Sequence, residues 1–386
     1  MKQRGKHLTV LAVAIVLLMS NALAAEINVR SGESIQAAIN GAGSGDIIFV
    51  QSGVYRESLN ISKPVILEGI GRPLLDAGAM GSAIILQADG AGASGAGVSG
   101  FDIRTTRRTG IHVLSENNII KYNTISGCLD GIRLDQTRSN IIAFNDINNN
   151  TNGITLYASE QNTIVNNNVR ENNINEESDC GIFLAYSRDN VIQDNDLMDN
   201  GDSSLSLRSS SNNTLRGNSI SHNDWYGISL SDSSNNNLIE KNNAFQNRDA
   251  GIYLDSSREN VIRENTACDN SRGIYLSYDS NDNTMQGNNV SFNAKGLQLA
   301  GHSSNNTLQN NTAMGNGYGI YLSFSSGWNL LFSNHLIGNG YNAYDMGQSN
   351  RWDNGSVGNY YSDLGRVFYV PGGPGVDRYP MTEPQM

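Results

Sequence analysis

A Ser or Thr, an Asn three residues later and a second Asn five further on recur ten times between residues 115 and 334. The first asparagine of the set runs from Asn118 to Asn329, the second from Asn123 to Asn334. Five residues on, a third asparagine follows in nine sets, from Asn150 to Asn339, and Cys128 stands in its place in the first set. A repeat of 21–28 residues held this strictly means stacked, near-identical units.

Each unit opens with an alternating tetrad such as Gly131-Ile132-Arg133-Leu134, Gly153-Ile154-Thr155-Leu156 or Gly319-Ile320-Tyr321-Leu322. Period-two alternation predicts a strand with Ile and Leu inward and the residue between them outward. Two more short strands are expected after the two asparagines, as in Ile141-Ile142 and Asp146-Ile147. Helices are excluded by length and by the density of Asn, Ser and Gly. One triangular coil cannot pair its own strands, so each strand must pair in parallel with the coils on either side. Asn is expected at the corners because it tolerates left-handed backbone, and stacked amides can bond along the axis. All six prolines lie outside the repeats, as a ladder that needs every N–H requires.

The expected organisation is a leader over residues 1–25, an N-terminal cap with irregular coils over 26–103, ten regular coils over 104–347, and a C-terminal cap over 348–386. Lys2, Arg4 and Lys6 precede an apolar stretch from Val10 to Met19, and Ala22-Leu23-Ala24 offers a small-residue cleavage site. That pattern predicts export and no transmembrane span in the mature chain. Ser31 to Ile39 reads as a short capped helix over the first coil. The chain carries a formal charge of −11; removing residues 1–25 takes away three basic side chains and no acidic one, leaving 23 against 37 and a charge of −14. This balance argues against nucleic acid as a partner. Three scattered cysteines, Cys128, Cys180 and Cys268, do not make a disulfide framework.

Together these motifs resemble the right-handed parallel β-helix repeat proteins of the NosD-like group, in the carbohydrate-binding and sugar-hydrolase class of β-helices. Ser34-Ile35-Gln36-Ala37-Ala38-Ile39, Gly45-Asp46-Ile47-Ile48 and Gly53-Val54-Tyr55 are similar to that group's opening, and Gly358-Asn359-Tyr360-Tyr361-Ser362-Asp363 to its closing segment. The resemblance covers most of the chain after the leader. It implies an all-β, right-handed, single-stranded parallel β-helix with three short strands per coil, a helical N-terminal cap and an irregular C-terminal cap. The scaffold hosts lyases, hydrolases, epimerases and plain binding proteins, so activity has to be argued from a site.

The outward first-strand residues predict one functional face, running from His112 and Arg133 through Tyr253, Tyr275 and Tyr321 to Tyr344. Tyr226, Tyr318 and Tyr278 lie near it. Aromatic rings repeating at coil spacing suit stacking on sugars, which points to polysaccharide or cell-envelope glycan as partner; the structural alternative is that the tyrosines stack on one another. His112, Asp130, Arg133 and Asp135 form a polar cluster on the same face. A lyase would use His112 or Arg133 as base, and a hydrolase would use Asp130 with Asp135 as its carboxylate pair. Glu176, Glu177 and Asp179, in the longest coil, are candidate calcium ligands. A purely structural surface protein, or an accessory factor for copper-enzyme maturation, are the remaining readings. Direct copper binding is not expected from the four scattered histidines that follow the leader, His112, His222, His302 and His335.

Overall fold

The computed structural model describes residues 24–88, 95–172, 180–363 and 368–383. The proposed leader up to residue 23, and Glu176, Glu177 and Asp179, lie outside the described residues.

Strands of two to six residues recur along the coils and stack into three parallel sheets. First strands such as Asp130–Asp135 form a 13-stranded sheet, and second strands such as Ile141–Ala143 a 14-stranded one. Third strands such as Asp146–Asn148 form a 10-stranded sheet, continued by bridges through Asn289 to a further three strands. Thirteen spacings of about 4.8 Å give the solenoid a length of roughly 60 Å. This is the expected parallel β-helix.

The inward residues make one continuous core, with Ile132, Leu134, Ile142, Ile147 and their counterparts fully buried from coil to coil. Each such side chain contributes roughly 1.5–3 kcal/mol. At the N-terminal end the helix Ile35–Gly41 covers the stack; Ser34 Oγ accepts from the Ala37 N–H, and the Glu57 carboxylate accepts from the N–H groups of Ile35 and Gln36. At the other end Trp352 and Tyr361 are buried in the core, beside the antiparallel pair of Phe368–Tyr369 with Val376–Asp377.

The ladder asparagines stack as predicted, but the reason they sit at corners is different. None of them has a positive φ. The left-handed residue is the one before each ladder asparagine, and it is of almost any type: Tyr122 (φ 57°), Phe144 (55°), Glu171 (55°), Lys241 (55°), Trp328 (59°). Left-handed backbone costs a non-glycine residue about 1–2 kcal/mol. The asparagine that follows supplies the compensating bonds. Its backbone N–H and its side-chain amide both donate to Oδ1 of the asparagine one coil on, as Asn145 does to Asn167 at 3.0 and 3.0 Å.

These ladders run in one direction and all three end on an aspartate. The first passes from Asn329 to Asn350 to Asp345, the second from Asn334 to Asn359 to Asp377, and the third from Asn339 to Asn342 to Asp363. A carboxylate accepts and needs no onward acceptor, so it is the natural terminus of a chain of donated bonds. The parallel row of Ser115, Thr137, Ser159 and Ser187 is buried too, with each hydroxyl oxygen from Ser159 on accepting the previous coil's N–H. All three cysteines are buried thiols.

Candidate functional site

The first-strand sheet carries two outward rows. In the main row His112 pairs with Arg133, Arg133 with Thr155, Thr155 with Phe183, and the register continues unbroken through Tyr253, Tyr275, Gln298 and Tyr321 to Tyr344. A second row lies three residues earlier, where Asp130 pairs with Asn152, and Arg272 with Lys295 and then Tyr318 and Tyr341. The glycine between the rows is skipped in the pairing and lets both positions face outward. Gly153 explains why glycine is needed: a Cβ there would lie 2.4 Å from the Gly181 carbonyl oxygen.

His112, Asp130, Arg133 and Asp135 converge, as the sequence suggests. His112 Nε2 lies 2.7 Å from Asp135 Oδ2, and Arg133 Nε donates to the same oxygen at 2.9 Å. Arg133 Nη1 reaches Asp130 Oδ2 at 3.4 Å. Asp130 is buried, and its Oδ1 accepts from Thr155 Oγ1 at 2.7 Å and from Asn152 Nδ2 at 3.1 Å. For Asp135, burial is the largest single influence and pushes its pKa up. The hydrogen bonds and charges of Arg133 and His112 together outweigh it and hold the carboxyl below the ordinary value. Arg133 is pushed up, mainly by its hydrogen bond to Asp135. A carboxyl held ionised by two partners suits the task of orienting a histidine, and is the reverse of what a general acid requires.

Seven tyrosines form two groups further along. Tyr226 stacks on Tyr253 with ring centroids 4.4 Å apart, and Tyr253 meets Tyr275 at 5.2 Å. Beyond them Tyr318 stacks on Tyr341 at 5.1 Å and Tyr321 on Tyr344 at 5.7 Å. Ring faces are therefore largely taken by neighbouring rings, and a ligand on this face would meet mainly ring edges and hydroxyls. Burial raises the phenol pKa of Tyr226 to about 12 and also raises those of Tyr253 and Tyr321, so these groups stay protonated hydrogen-bond donors. Tyr278 sits apart at a corner, with left-handed backbone and 62% exposure.

Sequence reasoning missed the cations of the second row. Arg272 lies 4.6 Å over the Tyr275 ring and pairs with Asp249, and Lys295 lies 4.3 Å over the Tyr321 ring. Their signal was the residue just before each opening glycine, three positions ahead of the outward residue. A cleft of about 360 Å³ between the exposed Phe324 and Trp328, with His302, Ser304 and Gln348, was missed as well. Among the described residues no group of three or more His, Cys, Asp or Glu is placed to hold a metal ion. No helix among them is long and apolar enough to cross a membrane.

A coiled stack of three parallel sheets with one continuous polar and aromatic face defines a parallel β-helix protein. The family described as "Right handed beta helix region" matches residues 80–178, 168–313 and 237–360, and the chain belongs to that family. No curated protein matches it. Among solved structures, the A-module of the Azotobacter vinelandii mannuronan C-5 epimerase AlgE6 is similar at TM-score 0.62 and 15% identity, covering 91% of this chain and 95% of that one. The A-module of AlgE4 from the same organism aligns at TM-score 0.61 and 16% identity, covering 82% and 92%. The Dettilon tailspike protein aligns at TM-score 0.62 and 16% identity, covering 84% of this chain and 70% of that one. At these identities the likeness is one of fold.

Proposed function

We propose that the protein binds a polysaccharide along the outward face of its first-strand sheet. The observation that carries this reading is the unbroken register from His112 to Tyr344, which lays polar and aromatic side chains along ten coil spacings, roughly 48 Å. That length suits an extended chain ligand better than a single sugar. The similarity to two proteins named as mannuronan epimerases supports it. The leader-like residues 1–25 would put this face in contact with extracellular, cell-surface or periplasmic glycan. The test is affinity electrophoresis of the processed protein through a broad panel of polysaccharides. Retardation by at least one, weakened by Tyr253→Ala and Tyr275→Ala, is expected; no retardation by any would sink the reading.

A second reading, cleavage of the bound chain, draws on one arrangement, His112 against Asp135 beside Arg133. With its Nε2–H given to Asp135, the His112 ring has its Nδ1 lone pair for taking a proton from a sugar carbon next to a carboxylate. Glu176, Glu177 and Asp179 are the candidates for holding calcium against the substrate, which makes calcium a condition of the assay. Unsaturated ends released from acidic polysaccharides, lost in His112→Ala and in Asp135→Ala, would establish it. Activity surviving both substitutions would rule this site out.

A further inference from the structure

The ring-to-ring contacts along the first-strand face are interrupted once between the two tyrosine groups. The strand Lys295–Leu299 presents Lys295 and Gln298 there instead of an aromatic ring. Gln298 stands in register between Tyr275 and Tyr321, whose strands are two coil spacings, roughly 10 Å, apart. We infer that this interruption is a carboxylate-binding subsite for a uronic acid unit of the glycan, with Lys295 meeting the carboxylate and Gln298 accepting from a neighbouring sugar hydroxyl. The inference rests on the glycan-binding reading of the face and narrows its ligand to an acidic one.

Two independent features point to a missing anionic, hydroxyl-bearing partner. The first is charge. Arg272 and Lys295 are direct partners on adjacent strands, an unfavourable placement for like charges. Arg272 Nη1 is answered by both oxygens of Asp249 at 2.5 and 2.7 Å. Lys295 has no ion pair among the described residues, and burial, followed by the nearby Arg272 charge, pushes its pKa down. Its ammonium is held 4.3 Å over the Tyr321 ring, so it is positioned before any ligand arrives. A carboxylate between the two cations would relieve their repulsion and gain charge-assisted bonds.

The second feature is Gln298. Only 6% of it is exposed, and its amide oxygen is buried with no hydrogen-bond partner. A buried acceptor left unpaired is costly, and a sugar hydroxyl beside the carboxylate would satisfy it. The charge of −14 left once residues 1–25 are removed (23 basic against 37 acidic) opposes a polyanion at long range. At physiological salt that opposition is screened beyond about 8 Å, so the local cations decide the contact.

The test compares a polyuronate with its methyl ester, using the full processed chain and isothermal titration calorimetry. The acid form is expected to bind roughly tenfold or more tightly than the ester. Lys295→Met keeps the apolar stem over Tyr321 and should collapse that ratio towards one. Its melting temperature should be unchanged or higher, since an unpaired cation is removed. Equal affinity of acid and ester in the native protein, or an undiminished ratio in Lys295→Met, overturns the subsite while leaving the glycan-binding face intact. Failure to bind any polysaccharide in the panel overturns both.

Discussion

The side-chain amide of Asn140 donates to Oδ1 of Asn162 at 3.0 Å, and the backbone N–H of Asn140 donates to the same oxygen at 3.0 Å. One oxygen thus serves two buried donors, and the pattern repeats along three corners of the solenoid. Asn237 shows what a single rung carries: it accepts from Asn213 N and Nδ2, and donates to Asn260 and to the Ser210 carbonyl. Asn237→Ala strands the backbone N–H of Asn213, while Asn213 Nδ2 keeps the Ser187 and Ser211 carbonyls, and is expected to cost about 1–3 kcal/mol. Because a solenoid can lose coils separately, hydrogen exchange at the flanking coils is the right readout. Exchange unchanged at Asn213 and Asn260 would refute the role assigned to the ladder.

Asp377 closes the second ladder. Its Oδ2 accepts from Asn359 N at 2.7 Å and from Tyr361 Oη at 3.1 Å, and its Oδ1 accepts from Tyr379 N at 3.0 Å. Asp377→Asn has nearly the same shape but turns an amide NH₂ towards one of these donors. A loss of about 1–3 kcal/mol, confined to residues near the C-terminal end, is expected. Native-like exchange protection around Asn359 and Tyr361 in the variant would contradict the assignment of an acceptor-only terminus.

Acid should loosen the His112 end. Asp135 has a pKa below 3.8 in the folded chain, so the folded state releases this proton more readily than the unfolded one. The resulting stability is fully present above that value and is lost as pH falls below it through the folded pKa. The melting-temperature gap between the native protein and Asp135→Asn should therefore shrink on going from neutral pH towards pH 3. A constant gap would mean that the ion pairs with Arg133 and His112 contribute nothing.

Alkali should act on the tyrosine groups. Tyr226 titrates at about 12, well above 10, so its proton is held more tightly in the folded chain than in the unfolded one. That contribution is present below pH 10 and disappears as pH rises through the folded value. Spectrophotometric titration should show a late-ionising class of phenols that vanishes on unfolding, reduced by one in Tyr226→Phe. A single class titrating near 10 would disprove the burial of these rings.

The architecture was legible because its rules are local and repeated. Ile132 and Leu134 alternate, Asn140 and Asn145 mark the following strands, and each coil restates them. The main outward row could be read from the same alternation. What the sequence hid depended on the bulge: once Gly273 and Gly296 are skipped, Arg272 and Lys295 join Tyr275 and Gln298 on one face. The left-handed corners were hidden for another reason. Tyr122, Phe144 and Trp328 have no preference for that backbone and adopt it because the ladder beside them requires it.

The one-way run of the asparagine ladders bears on how long the protein can be. Every coil offers donors to the next and acceptors to the last, so a copied coil inserted mid-stack would find both of its neighbours already complementary. Only the final turn, with Asp345, Asp363 and Asp377, is committed to being last. The solenoid therefore works as an extensible ruler: each added repeat lengthens the first-strand face by about 4.8 Å without disturbing the ends.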